Sequence, residues 1–133
     1  MLKTVGYGLL GSLILLTACS SSTGTVSPSP DIRGLATVEE VDILILTTSE
    51  PPQIGVDVRG FVGDPCTRLQ EPIITSLPET RSFTVTLETL RPADVVCIQM
   101  LAPFEISFRL PMTGLPRGAY TVSVNGVSEP FFY

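Results

Sequence analysis

The sequence holds no histidine and no tryptophan, and its one lysine is Lys3. Each absence removes a class of chemistry. Without histidine, Ser-His-Asp and Cys-His nucleophilic catalysis are excluded, and cysteine alone supplies at best half of a zinc site. No stretch after Thr37 carries a helical period, so no Gly-rich phosphate loop leads into a helix. Cationic patches are missing as well. Arg33, Arg59, Arg68, Arg81, Arg91, Arg109 and Arg117 stand singly, and the formal net charge is −5. Gripping phosphate needs clustered Lys or Arg, so no nucleic-acid partner is expected. Carboxylates are present, the densest group being Glu39, Glu40 and Asp42, with Asp57, Asp64 and Glu105 elsewhere. A pair of them would suit acid–base work; solubility and edge protection is the preferred reading, because acidic side chains mostly sit exposed. Asp64 lacks the D-x-D-x-D spacing of a calcium loop. No metal and no cofactor is expected.

What the sequence does have begins at its N-terminus. Lys3 makes a short positive start, Leu9, Leu10, Leu13, Ile14, Leu15 and Leu16 an apolar middle, and Thr17-Ala18 a small-residue end before Cys19. That order is the layout of an export signal. A membrane-spanning helix would need roughly 20 apolar residues, more than Val5 to Ala18 provides. Leu16-Thr17-Ala18-Cys19 resembles the lipobox of bacterial lipoproteins. The resemblance implies cleavage before Cys19 and lipid on its sulfur and new amino group, anchoring the chain to a membrane through several acyl chains. Ser20 after that cysteine usually accompanies outer-membrane sorting where the cell has two membranes. The string from Ser20 to Pro30 has almost nothing apolar to bury and therefore reads as a tether. These signals divide the chain into a signal peptide over residues 1–18, a lipidated cysteine with its tether over 19–33, and a domain over 34–133.

With Cys19 assigned to lipid, Cys66 and Cys97 remain as an even pair in an exported chain, where disulfides persist. Two separate buried thiols are the alternative. Within the domain, apolar residues alternate with polar ones. Val41, Ile43 and Ile45 form one such face; Ile54, Val56, Val58 and Val62 another; Phe83, Val85 and Leu87 a third; Phe104, Ile106, Phe108 and Leu110 a fourth; Tyr120, Val122 and Val124 a fifth. Period two with one apolar face predicts half-buried antiparallel strands. Asn125-Gly126 between Val124 and Val127 is the favoured two-residue hairpin turn. That register sets Glu129 opposite Val122, which a bulge or an edge strand opened by Pro130 would relieve. About seven short strands punctuated by Pro- and Gly-bearing turns predict an all-β sandwich.

Leu115-Pro-Arg-Gly118-Ala-Tyr120 resembles the tyrosine corner of immunoglobulin-like and fibronectin-like sandwiches, in which a buried ring sends its hydroxyl to upstream backbone. The absence of tryptophan and the short cysteine separation depart from the antibody pattern. The stretches around Cys66-Thr67, Val96-Cys97-Ile98-Gln99, Pro103-Phe104-Glu105 and Gly118 to Gly126 are similar to domains of bacterial exported proteins. That likeness implies a fold and a compartment and no activity.

Two apolar segments bear on function. Gln99, Met100, Leu101 and Phe104 belong to a loop that follows Cys97. It either offers Met100 and Leu101 to a partner or plugs the end of the sandwich, and the plug is preferred. Phe131-Phe132-Tyr133 either completes a sheet, which is preferred, or leaves an edge open to strand addition. The expected function is that of a lipid-anchored, non-catalytic module binding an envelope protein or a surface polymer. The alternative is an accessory subunit that ties a larger assembly to the membrane. A carboxylate-dependent hydrolase is the third and weakest reading.

Overall fold

The computed structural model of the protein describes residues 30–133, together with Gly6, Gly8, Gly11 and Gly24. The signal, Cys19 and the tether up to residue 29 lie outside the described residues. Ten strands follow one another: β1 Asp31–Leu35, β2 Thr37–Thr47, β3 Gln53–Val62, β4 Arg68–Leu69, β5 Ile73–Leu77, β6 Ser82–Thr86, β7 Glu88–Pro92, β8 Ala102–Arg109, β9 Ala119–Val124 and β10 Val127–Phe132. No helix of the described residues is long and apolar enough to cross a membrane. The domain begins earlier than residue 34. Asp31, Ile32 and Arg33 pair with Pro92, Arg91 and Leu90 of β7, so strand pairing replaces the end of the expected tether.

Two sheets, β2-β3-β8 and β10-β9-β6-β5, enclose the core, and a small sheet β1-β7-β4 stands at one end. The alternation sets this up. Ile54, Val56 and Val58 of β3 are wholly buried, as are Val122 and Val124 of β9, and Phe83 and Val85 of β6 join them in one cluster. Val41 follows the pattern, but Ile45 at the far end of β2 is 48% exposed. The strand order departs from a purely antiparallel sheet at one place: β6 and β9 run parallel, Ser82 opposite Thr121 and Val85 opposite Val124. Parallel neighbours need a long crossover, and here the chain passes through β7 and β8 before it returns as β9.

The end sheet exists because two strands continue past the core. Ala36 is the only residue between β1 and β2, and Leu87 the only one between β6 and β7; Ala36 N–H donates to Leu87 O at 3.0 Å. Asn125 locks this crossing. Its side-chain oxygen accepts from Leu87 N–H at 2.9 Å, and its amide donates to Ala36 O at 2.8 Å and Leu87 O at 3.0 Å. Its φ of 46°, with 93° at Gly126, makes the hairpin turn that Asn-Gly predicts. Pairing of β9 with β10 runs through Glu129 opposite Val122 without a bulge. The carboxylate is exposed while Val122 is buried, because β10 is the terminal strand of its sheet. Asn125→Gly keeps the turn and deletes the lock. We expect a loss of about 2–4 kcal/mol, since Leu87 N–H and Ala36 O lose their partner and are only partly reached by water, while Leu87 O keeps the Ala36 N–H; chemical denaturation followed by circular dichroism measures it, and a change below about 0.5 kcal/mol would show that water replaces the amide.

Gly60 is fixed by close approach. It lies opposite Val38, where β2 bulges, and a Cβ there would overlap the Thr37 carbonyl oxygen. The bulge turns Glu40 and Asp42 onto the outer face of β2-β3-β8 beside Arg59.

Candidate functional site

The end of the molecule that carries the disulfide is built around one buried carboxylate. Gly63-Asp64-Pro65 leaves β3 in a turn. Asp64 Oδ1 accepts from the Cys66 and Thr67 amides, both at 2.9 Å, and from the Thr67 hydroxyl at 3.0 Å. Its other oxygen accepts from Arg91 Nε at 2.6 Å. Arg91, at the end of β7, also donates to Pro92 O at 3.2 Å and Val95 O at 3.3 Å. Cys66 and Cys97 are joined across a Cα–Cα distance of 6.1 Å. One ion pair and one covalent bond therefore clamp the 63–67 turn to the 93–101 loop. Burial by itself would raise the Asp64 pKa; the hydrogen bonds from Arg91 and Thr67, the Arg91 charge and the Cys66 amide outweigh it, so the carboxyl titrates below its ordinary value.

Asp64, Cys66 and Cys97 bring ligand-type atoms close together. Both sulfurs are spent on the disulfide and both carboxylate oxygens on the hydrogen bonds above, so the group has no free donor with which to hold a metal. The sequence shows Asp64 and Thr67 three residues apart, the spacing of an Asp-capped turn. It gives no sign that Arg91 is their partner, because that contact spans 27 residues.

The loop does not plug the sandwich. Val96 is fully exposed, and Ile98, Met100 and Leu101 are each more than half exposed. Gln99 is exposed too, and of the four loop residues singled out in the sequence only Phe104 packs against the core, from within β8. The physical reason is the clamp: with Cys97 tied to Cys66 and Val95 O held by Arg91, the loop backbone cannot fold its side chains down over the end of the core.

The opposite end holds Leu115, Gly118 and Tyr120. The Tyr120 ring is buried among Phe83, Phe131 and Tyr133, and its hydroxyl donates to Pro116 O at 2.5 Å. Gly118 has φ +150°, and its N–H and C=O both bond Tyr133 backbone. Tyr133, whose position the sequence left ambiguous, sends its own hydroxyl to Leu115 O at 2.7 Å and Pro116 O at 3.1 Å. Burial raises its phenol pKa above the usual value. Phe131 is buried and Phe132 is 68% exposed, as alternation along the last strand requires.

The outer face of β2-β3-β8 carries the densest acidic group. Glu40 and Asp42 lie 2.8 and 3.2 Å from Arg59, and Glu105 lies 3.7 Å from it. The Glu40 hydrogen bond first, then the surrounding carboxylates, raise the Arg59 pKa. These acids are paired to a guanidinium and open to solvent. Beside them an open groove is lined by Leu44 and Leu46, by Gly55, and by Asp57, Ser107 and Arg109.

A family model, the ORF11 beta-sandwich domain, matches residues 56–132. The chain belongs to that family. Within the ORF11 beta-sandwich match lie β3 from Val56 onward and β4 through β10, and with them the Asp64–Arg91 pair, both disulfide cysteines, the apolar loop and the tyrosine corner. Among similar proteins are two from Herpetosiphon aurantiacus, an uncharacterized 10.2 kDa protein in the HgiBIM 5′ region and another in the HgiCIIM 5′ region. The first is 33% identical over 81 residues, 61% of this chain and 95% of the relative. The second is 35% identical over 92 residues, 69% of this chain and 94% of the relative. No solved structure matches the chain.

Asp64→Asn tests the clamp. The folded pKa of Asp64 lies below its ordinary 3.8. The ion pair therefore stabilises the fold fully above about pH 4 and ceases to do so as pH falls through the lower folded value. We expect the parent to lose stability as pH falls below about 4 and through the lower folded value, and Asp64→Asn to be less stable at pH 7 with a smaller change over that range. Urea denaturation at several pH values checks it; an unchanged acid limb in the variant would remove Asp64 as its source.

Proposed function

We propose that this chain is a lipid-anchored envelope protein, held by acyl chains on Cys19, whose sandwich works as a non-catalytic binding module for an envelope protein or a surface polymer. The outer membrane is the destination in a cell that has two membranes, on the strength of Ser20. The observation that carries the binding role is the groove on the outer face of β2-β3-β8. Leu44 and Leu46 remain 43% and 48% exposed there, Leu44 within the regularly paired part of β2 and Leu46 at the irregularity between Ile45 and Thr47. Gly55, opposite Leu44, leaves room between them. Asp57, Ser107 and Arg109 supply polar contacts along the same face. An apolar floor with a few polar groups suits recognition of an extended chain. The absence of histidine from the whole sequence and the pairing of the acidic cluster to Arg59 support binding over catalysis.

Anchor and binding face are tested separately. Cys19→Ser should leave the protein unprocessed or soluble, shifting it out of the detergent phase on phase partitioning. A processed Cys19→Ser protein that partitions like the parent would refute the anchor. Leu44→Asp combined with Leu46→Asp should abolish crosslinked adducts formed in native envelope fractions while the anchor still partitions. Adducts that persist in that variant would move the binding role away from this face.

A further inference from the structure

Residues 95–101 read Val-Val-Cys-Ile-Gln-Met-Leu, and no charged side chain occurs between Asp94 and Glu105. Apolar side chains in a surface loop ordinarily turn inward, because leaving them in water forfeits the free energy of burial. Here Val96 is 100% exposed, Ile98 65%, Met100 59% and Leu101 58%. The loop is not slack. It is fixed at Cys97 by the disulfide, at Pro92 and Val95 by Arg91, and internally by Met100 N–H donating to Ile98 O at 3.0 Å. A rigid frame that presents an apolar tip outward is a contact surface.

The strand register indicates what it contacts. The described domain begins at Asp31, which is paired directly with Pro92, the last residue of β7 and the start of the connection to the loop. Next to Asp31, Ile32 is 54% exposed. The tether and the apolar loop therefore leave the same end of the molecule. Cys19 is 12 residues upstream of Asp31, a span of at most about 40 Å even when fully extended. The tyrosine corner lies at the opposite end, beyond the length of β2, whose 11 residues extend about 36 Å. An acyl anchor on Cys19 thus keeps the loop end within about 40 Å of the bilayer, and the exposed apolar side chains there favour that end as the one that faces it. The charges at this end do not form a basic patch. Asp31, Glu71, Glu88 and Asp94 are acidic, Arg91 is spent on Asp64, Arg33 lies 3.6 Å from Glu88, and Arg68 stands singly across Leu90 from Arg33. Contact would be apolar and would not require anionic lipid.

We infer that the 95–101 loop is the membrane-contact surface of the domain. Val96, Ile98, Met100 and Leu101 enter the boundary between headgroups and acyl chains, and the sandwich stands on the bilayer with the groove of β2-β3-β8 at its side. The inference rests on lipidation of Cys19. It turns a single-point tether into a two-point attachment that orients the domain.

The test uses the full lipidated chain reconstituted into phosphatidylcholine vesicles. The sequence has no tryptophan, so Val96→Trp introduces a single reporter in the loop, and Phe132→Trp a single reporter on an exposed side chain near the opposite end. Both side chains are exposed, and unchanged circular dichroism confirms that each variant folds. The Val96→Trp emission should shift to the blue on reconstitution and be quenched by a bromine-labelled lipid, as expected of a tryptophan seated at the membrane interface. The Phe132→Trp emission should change in neither respect, and the result should be the same with added salt. If both proteins float with the vesicles and the Val96→Trp emission remains that of a water-exposed ring, the loop does not touch lipid and the inference is overturned, while the anchor stands. A shift that appears only when envelope proteins are added also overturns it and gives the loop to a protein. If mass spectrometry finds Cys19 unmodified and the protein does not float, the anchor reading fails, and with it the inference.

Discussion

Tyr120→Ala should destabilise the domain by about 3–5 kcal/mol, in the range for removing a buried aromatic ring. Its ring centroid lies 5.7 Å from those of Phe131 and Tyr133 and 6.1 Å from that of Phe83, so truncation opens a void that three other rings border. The void lies at the end of β9, where the chain also turns through Gly118, and the backbone has little freedom to collapse into it. Tyr120→Phe separates the hydroxyl from the ring. A carbonyl with a single donor would be stranded by that change, but the one Tyr133 hydroxyl proton is shared between Leu115 O at 2.7 Å and Pro116 O at 3.1 Å, so Pro116 O keeps the longer arm of that bond. The expected cost is therefore only that of one hydrogen bond, about 0.5–1.5 kcal/mol. Chemical denaturation of the two variants should show the ring dominating the hydroxyl by at least twofold. Equal losses would mean that the hydrogen bond, and not the packing, holds the corner.

Removal of the disulfide is the second large effect. Cys66→Ser with Cys97→Ser should cost about 3–4 kcal/mol, the loop-closure entropy of the denatured chain, for a sequence separation of 31. The Asp64–Arg91 ion pair still closes the same two segments in the variant, so the domain should remain folded while the 93–101 loop gains freedom. Denaturation of the parent with and without reductant, beside the double variant, measures the cost. Amide exchange over residues 93–101 should accelerate in the variant more than over β3 or β9. Uniform acceleration across the domain would show that the bond supports the whole sandwich and not the loop.

The core of the fold is legible because alternation is a local signal. Ile54, Val56 and Val58, then Val122 and Val124, repeat every second residue and are wholly buried. Asn125-Gly126 is legible for the same reason, as a turn whose chemistry lies in two adjacent residues. β1 is not legible. All five of its residues are exposed, so it has no buried face to impose a period, and it is a strand only because β7 pairs with it. The lock made by the Asn125 side chain also escapes local inspection, since its partners are 38 and 89 residues away. At the candidate site, the apolar character of 95–101 is plain, but its direction is not. Composition favours burial, and exposure follows from the position of Cys66 and from Arg91 reaching Asp64 and Val95, contacts that exist only after the fold has formed.

β9 is secured to backbone at both of its ends, by the Tyr120 hydroxyl on Pro116 and by the Asn125 amide on Ala36 and Leu87. A slip of one residue against β6 or β10 would turn Val122 and Val124 to solvent. A slip of two would keep the apolar face inward, and hydrophobic burial alone hardly opposes it. That shift would carry Tyr120 and Asn125 about 7 Å along the strand and release both attachments at once. The two polar side chains therefore select one alignment of the strand among those that the valines would accept.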